Sequence, residues 1–166
     1  MTLSLPMESV HPMVVHFPIA LLLTAVGCDL AAVALRRPVL RQAALWNLSL
    51  GTVAAAMAVW TGLRAEDVAK HSFEIHQVME LHERLGKITL ALALMAVSWR
   101  VAKRDRLSAR ARVITSLLML AMAMTLAWGG YLGGRLVYEF GVGGRFGAAA
   151  PGANPAEDTP HDHHKH

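Results

Sequence analysis

Five of the nine histidines, His11, His16, His71, His76 and His82, sit at the start of an apolar run or in the segment ahead of one. Neutral imidazole ligates haem iron, zinc and copper, so these residues are the first candidates for chemistry. His16 and His82 each head a run with small residues on the same side: Ala20, Thr24, Gly27 and Ala31 below the first, Gly86, Thr89, Ala93 and Ala96 below the second. Two imidazoles on facing helices, backed by Gly and Ala, leave room for a flat macrocycle. Arg135 and Lys87 are cations at the same depth that suit its propionates. The expected cofactor site is therefore one haem b on His16 and His82, beside Gly86 and Arg135, with no second histidine pair for another haem. The alternative is a Cu or Zn site drawn from His11, His16, His76 and His82. A third reading gives the histidines only capping and backbone-bonding roles, with no cofactor.

Asp29 is the other costly residue, because a carboxylate inside an apolar run needs a partner. A structural partner is expected in Asn47, Ser49 or Arg36, and the functional alternative is a proton relay or ion site. Met119, Met122 and Met124 lack a repeated metal-binding spacing and are expected to pack. Cys28 is the only cysteine, which excludes a disulfide framework or a thiolate zinc site. His161, His163, His164 and His166 lie in a Gly/Ala/Pro-rich tail, a weak chelator at best. No nucleotide-binding loop, serine-nucleophile motif or zinc-protease motif is present, so a hydrolase or nucleotide enzyme is not expected. A catalytic residue is not assigned.

The elements that must position these residues follow from composition. Of 166 residues 54% are hydrophobic and 17% charged, against about 45–50% and about 25% in soluble domains. With a mean hydropathy of +0.38, the surplus apolar surface calls for lipid as solvent. Apolar runs at 13–35, 43–63 and 113–138 are each long enough to cross a hydrocarbon core of roughly 30 Å. The third run, 82–101, reaches that length only if Lys87 and Arg100 snorkel toward opposite interfaces. The first run lacks a basic leader and reads as a retained span. Residues 1–12 form an outer segment and 141–166 a disordered tail.

Lys and Arg concentrate between the first and second runs and between the third and fourth. By the positive-inside rule those loops face the cytoplasm and both termini lie outside, in a bacterial inner membrane. The net charge of +4 thus reports orientation rather than nucleic-acid binding. Trp46 and Trp99 fall at the inner level and Trp60 and Trp128 at the outer, as an interfacial belt requires. Small residues give every helix a packing face, including Gly51, Ala55, Ala58 and Gly62 in the second and GGYLGG (129–134) in the fourth. The parallel between His16 and His82 and the small residues below them suggests a duplicated helical hairpin.

HPMVVHFPIALLL at the start, Asp29, Gly62 with Asp67, LHERLG before the third run and GGYLGGRLVYEFGVG at the end resemble the bacterial integral membrane family called domain of unknown function twenty-two thirty-one. The resemblance covers residues 10–143. It implies a four-span inner-membrane protein and marks His11, His16, Asp29, His82, Gly133, Gly134, Tyr138 and Gly141 as motif positions. It also implies a companion of Rieske or cytochrome modules, favouring b-type haem or a quinone-linked role. Family members often place Asn after the third-helix histidine, where this chain has Arg84 and Gly86. The combined expectation is an all-α, four-helix membrane bundle acting as a small haem-binding electron-transfer protein. Its partners would be the bilayer and a cytochrome, Rieske or quinone redox partner, in an oligomer or as a subunit of a larger complex. The alternatives are a transition-metal-handling or transport subunit and a scaffold without cofactor.

Overall fold

The computed structural model describes residues 7–66, 73–103 and 108–142. Among them the chain forms α1 (Met7–Val14), α2 (His16–Ala34), α3 (Pro38–Glu66), α4 (Phe73–Lys103) and α5 (Ala109–Tyr138), with no strand. His71, the tail histidines and Asp67 lie outside the described residues. Val15 N–H bonds to His11 O at 3.1 Å and Ile19 N–H to Val15 O at 3.3 Å, so the chain stays helical between α1 and α2. Four segments are long and apolar enough to cross a membrane: Val10–Ala34, Pro38–Arg64, Phe73–Lys103 and Arg110–Tyr138.

Local chemistry sets the helix ends. Leu35 closes α2 through Ala31 O at 2.8 Å. Arg36, at φ 52°, then takes the left-handed turn usually left to Gly, and Pro38 opens α3 at the position where its missing N–H costs least. Ser108 caps α5, its Oγ accepting from Ala111 N–H at 3.3 Å. At the other end Gly141, with φ 66°, turns the chain back so that Val142 N–H reaches Leu136 O, six residues earlier, at 2.8 Å, and the helix ends there. α4 begins well ahead of His82, where the apolar run alone would start it. Ion pairs Arg84–Glu80 and Lys87–Glu83, each one turn apart, support this charged first half.

The buried face of α2 carries Pro18, Leu22, Ala25, Val26, Asp29 and Ala32. Ala20, Thr24 and Gly27, expected to pack below His16, are exposed instead. In α4 the expected stripe holds, with Thr89, Ala93 and Ala96 buried. Gly51, Ala55 and Ala58 of α3 are buried too. A Cβ on Gly51 would stand 2.7 Å from Leu22 Cδ2, so the leucine fills the space the glycine leaves. Phe17, Val33, Val53, Met57, Leu117 and Met124 are exposed, an apolar outer surface that suits acyl chains rather than water.

Two contacts reveal a duplication in a register different from the expected one. Asp29 meets Arg100, 71 residues away, and the same interval separates His11 from His82, whose rings are also in contact. Advancing by that interval carries Leu22 to Ala93, Ala25 to Ala96 and Leu48 to Met119, all buried in one cluster. It also carries IALLLTAV (19–26) onto LALALMAV (90–97), five of whose eight residues are identical. Equivalent positions that touch each other lie on a two-fold relation. Since each repeat is a pair of helices, direction is preserved and the axis runs along the bundle, as in parallel transporter repeats. The histidine that corresponds to His82 is therefore His11, not His16.

The ion pair lies inside the bundle. Arg100 Nη1 donates to Asp29 Oδ1 at 2.7 Å, and Ser116 Oγ donates to Asp29 Oδ2 at 2.8 Å. Arg100 Nη1 also approaches Met119 S at 3.2 Å, and Nη2 approaches Arg41 O at 3.5 Å. Arg100 is only 7% exposed, so it does not snorkel as its place near the end of the run implies. Satisfying Asp29 inside the bundle outweighs reaching the interface. Asn47 and Ser49 bond to their own helix, at Ala43 O and Leu45 O, rather than to Asp29.

Removing either partner strands a buried charge, so Asp29→Ala and Arg100→Ala are each expected to cost about 3 kcal/mol or more in denaturant unfolding of the detergent-solubilised protein. The double variant Asp29→Leu, Arg100→Met should recover most of that loss. Single variants as stable as the parent would show that the pair is not buried in solution.

Candidate functional site

The end of the bundle opposite the ion pair holds the histidines. His11 comes from α1 and His82 from α4, and their ring centres lie 6.2 Å apart with planes at 82°. At 1.5 Å per residue this level is roughly 27 Å along the helix from Asp29.

Each ring is held on one nitrogen. Thr61 Oγ1 donates to Ala58 O at 3.0 Å, which leaves its oxygen to accept from His11 Nδ1 at 3.2 Å. His82 Nδ1 lies 2.8 Å from Gly129 O, and a carbonyl can only accept. Both imidazoles therefore carry their proton on Nδ1 when neutral, leaving the Nε2 lone pair for a ligand. A hydrogen bond on the far nitrogen is the usual way a protein orients a metal-binding histidine.

A glycine backs each ring. A Cβ at Gly62 would stand 3.0 Å from His11 Cε1, and one at Gly133 would stand 3.0 Å from His82 Cε1. Gly62 and Gly133 are themselves duplicate positions, so the two half-sites repeat in ligand and in supporting glycine. Gly130 and Gly134 have nothing within 4 Å. Of the GGYLGG glycines, only Gly129 and Gly133 meet neighbours where a side chain would be.

The remaining expected site residues are not gathered here. His16 is exposed: five residues from His11 is roughly 140° around a helix, so the two cannot share a face. His76 is exposed on the early part of α4. Gly86 faces Val59, whose Cγ2 would be 3.8 Å from an added Cβ. Arg135 pairs with Glu139 at 2.7 Å and lies 5.9 Å from the Phe140 ring centre. Lys87 pairs with Glu83. A propionate would have to displace these carboxylates. Among the described residues no three His, Cys, Asp or Glu side chains converge as a metal cluster.

Sequence reasoning placed His11 with His82 only in the alternative metal site, and it missed Thr61 as the acceptor and Gly62 as the support of that ring. The signal was available in the equal intervals from His11 to Gly62 and from His82 to Gly133. Between the two polar ends lies an apolar layer that includes Leu22, Ala25, Ala93, Ala96 and Met122. Met119 and Met122 pack fully buried, while Met124 is 74% exposed on the outer surface.

Comparison with protein families matches residues 7–145 to the model described as Predicted membrane protein (DUF2231). No curated protein and no solved structure matches the chain.

The hydrogen bonds predict ring tautomers that nitrogen NMR of labelled protein can read. In their neutral form His11 and His82 should both carry the proton on Nδ1. Thr61→Val should redistribute the His11 tautomers and leave His82 unchanged, while Gly133→Ala should shift the His82 signals alone. Unaltered spectra in both variants would contradict the arrangement.

Proposed function

The chain belongs to the family of predicted membrane proteins DUF2231, and from that premise we propose that it is a small membrane electron-transfer protein that holds one haem b through His11 and His82. The observation that carries this reading is the pair of duplicate imidazoles, 6.2 Å apart, each tied through Nδ1. That separation is short enough for one metal held at about 2 Å from a nitrogen of each ring. A ligand shared by the two duplicate histidines should meet both halves in equivalent ways, which a haem held by two histidines would do.

The residues present fit that group. His11 and His82 would hold the haem iron, Thr61 and Gly129 O would fix ring orientation, and Gly62 and Gly133 would give the rings room. When bound, the haem supplies one-electron chemistry at its iron. The protein's own part is to exclude water, set ligand basicity through the Nδ1 bonds and keep the site at one end of the bundle. The placement of both imidazoles at one end of the bundle supports exchange of electrons with a partner there, in keeping with a cytochrome, Rieske or quinone partner. A single Cu ion is the second reading, because the same ring separation accommodates it and no macrocycle is then required.

The test is a reduced-minus-oxidised visible spectrum of protein purified from haem-supplied cells. The parent should show α and Soret bands, lost in His11→Ala and in His82→Ala and kept in His16→Ala. Thr61→Val should shift the midpoint potential while keeping the bands. A featureless parent spectrum would overturn the haem reading, and copper bound at one equivalent, lost in the same two variants, would establish the second.

A further inference from the structure

The two-fold relation between the halves brings Asp29 onto Arg100, and these charges restrict what each half can pair with. In the first half, residues 7–66, the inner face carries Leu22, Ala25 and Asp29, and in the second, residues 73–142, the equivalent positions carry Ala93, Ala96 and Arg100. Both faces are apolar around the charge, and lipid supplies no hydrophobic preference for one over the other. Were two first halves to pair on the same two-fold relation, Asp29 would meet a second Asp29. The hydroxyl it now receives from Ser116 would be missing as well, because the equivalent position in the first half is Leu45. Two second halves would set Arg100 against a second Arg100 with the Asp29 carboxylate gone.

We propose that the opposite charges at these equivalent positions make the inner face of each half a surface that accepts the other half and refuses a copy of itself. Burial gives the charges this power: Asp29 and Arg100 are 8% and 7% exposed, so like charges placed there could neither move apart nor reach water. One buried polar position can select a partner in this way, as in coiled coils, by making the wrong pairing costly rather than the right one unusually tight. The consequence reaches the other end of the bundle. Halves joined through unlike charges always set His11 against His82, whereas a self-paired first half would set His11 against a second His11. Partner choice of this kind holds whether or not the imidazoles carry a ligand.

The experiment uses full chains bearing two different affinity tags, co-expressed in pairs, purified in detergent and sized by gel filtration. Asp29→Arg and Arg100→Asp each place like charges within one chain, and either variant alone should yield about tenfold less folded monomer than the parent. Both substitutions in one chain should restore most of the yield. Co-expression of the two single variants should rescue them as a one-to-one pair with exchanged halves. In that pair the introduced arginine meets the introduced aspartate, and native Arg100 of one chain meets native Asp29 of the other. Two differently tagged copies of the same single variant should not co-purify above the level of the parent. Parent-like monomer from both single variants would overturn the proposal, as would same-variant pairs that co-purify as well as the mixed pair. A double variant that stays unfolded, or single variants that do not rescue each other, would overturn the sign of the charge as the selecting feature.

Discussion

A carboxylate inside an apolar helix is the constraint on which this structure turns. Asp29 cannot be solvated by lipid, so it must face the bundle and meet a donor. Arg100 of α4 and Ser116 of α5 supply the donors, tying α2 to both helices of the second hairpin. In a bundle where burial against lipid gives little preference for one rotation over another, such a bond sets rotation and axial register together. Rotating α2 by one residue would turn Asp29 away from its partners and expose a charge to hydrocarbon. The face that remains inward is the one bearing Leu22, Ala25 and Val26.

Once that register is set, the duplication brings the histidines together. Asp29 and Arg100 are equivalent positions with opposite charges, and His11 and His82 are equivalent positions with the same residue. The first pair breaks the symmetry of the halves and the second keeps it. Packing shows a similar division: Gly51 makes room for Leu22 in one half, whereas the duplicate positions carry Met122 and Ala93, both fully buried. Large and small side chains have exchanged helices while the core stays filled, as dense packing requires.

The bundle thus has a near-symmetric end with imidazole, threonine and glycine inside it, and an end whose interior holds the arginine–aspartate pair. Mostly apolar side chains fill the space between them, together with Thr52, Thr89 and Thr125, each hydrogen-bonded within the bundle. That division sets the imidazole pair and the ion pair at opposite ends of the bundle. It also frees the histidine end from strong fixed charge, since Arg135 and Lys87 are paired with acids on their own helices.

Much of this was legible in the residues. Composition and run length determined four membrane-crossing helices, and the cost of a buried carboxylate determined that Asp29 has a structural partner. The small residues of α3 and α4 marked true packing faces. Helix one misled, because Ala20, Thr24 and Gly27 look like a packing stripe yet face outward, and His16 heads that stripe. Local spacing cannot say which face of an apolar helix is inward when every face is apolar. Arg100 likewise reads as an interfacial cation from its place in the run, and Asn47, Ser49 and Arg36 look like nearer partners for Asp29. By itself the sequence determined the solvent, the number of helices and the residue types with chemistry to offer. Only the tertiary structure decided which histidine faces His82 and which cation answers Asp29, because both depend on helix rotation, and rotation is set by contacts between segments far apart in the chain.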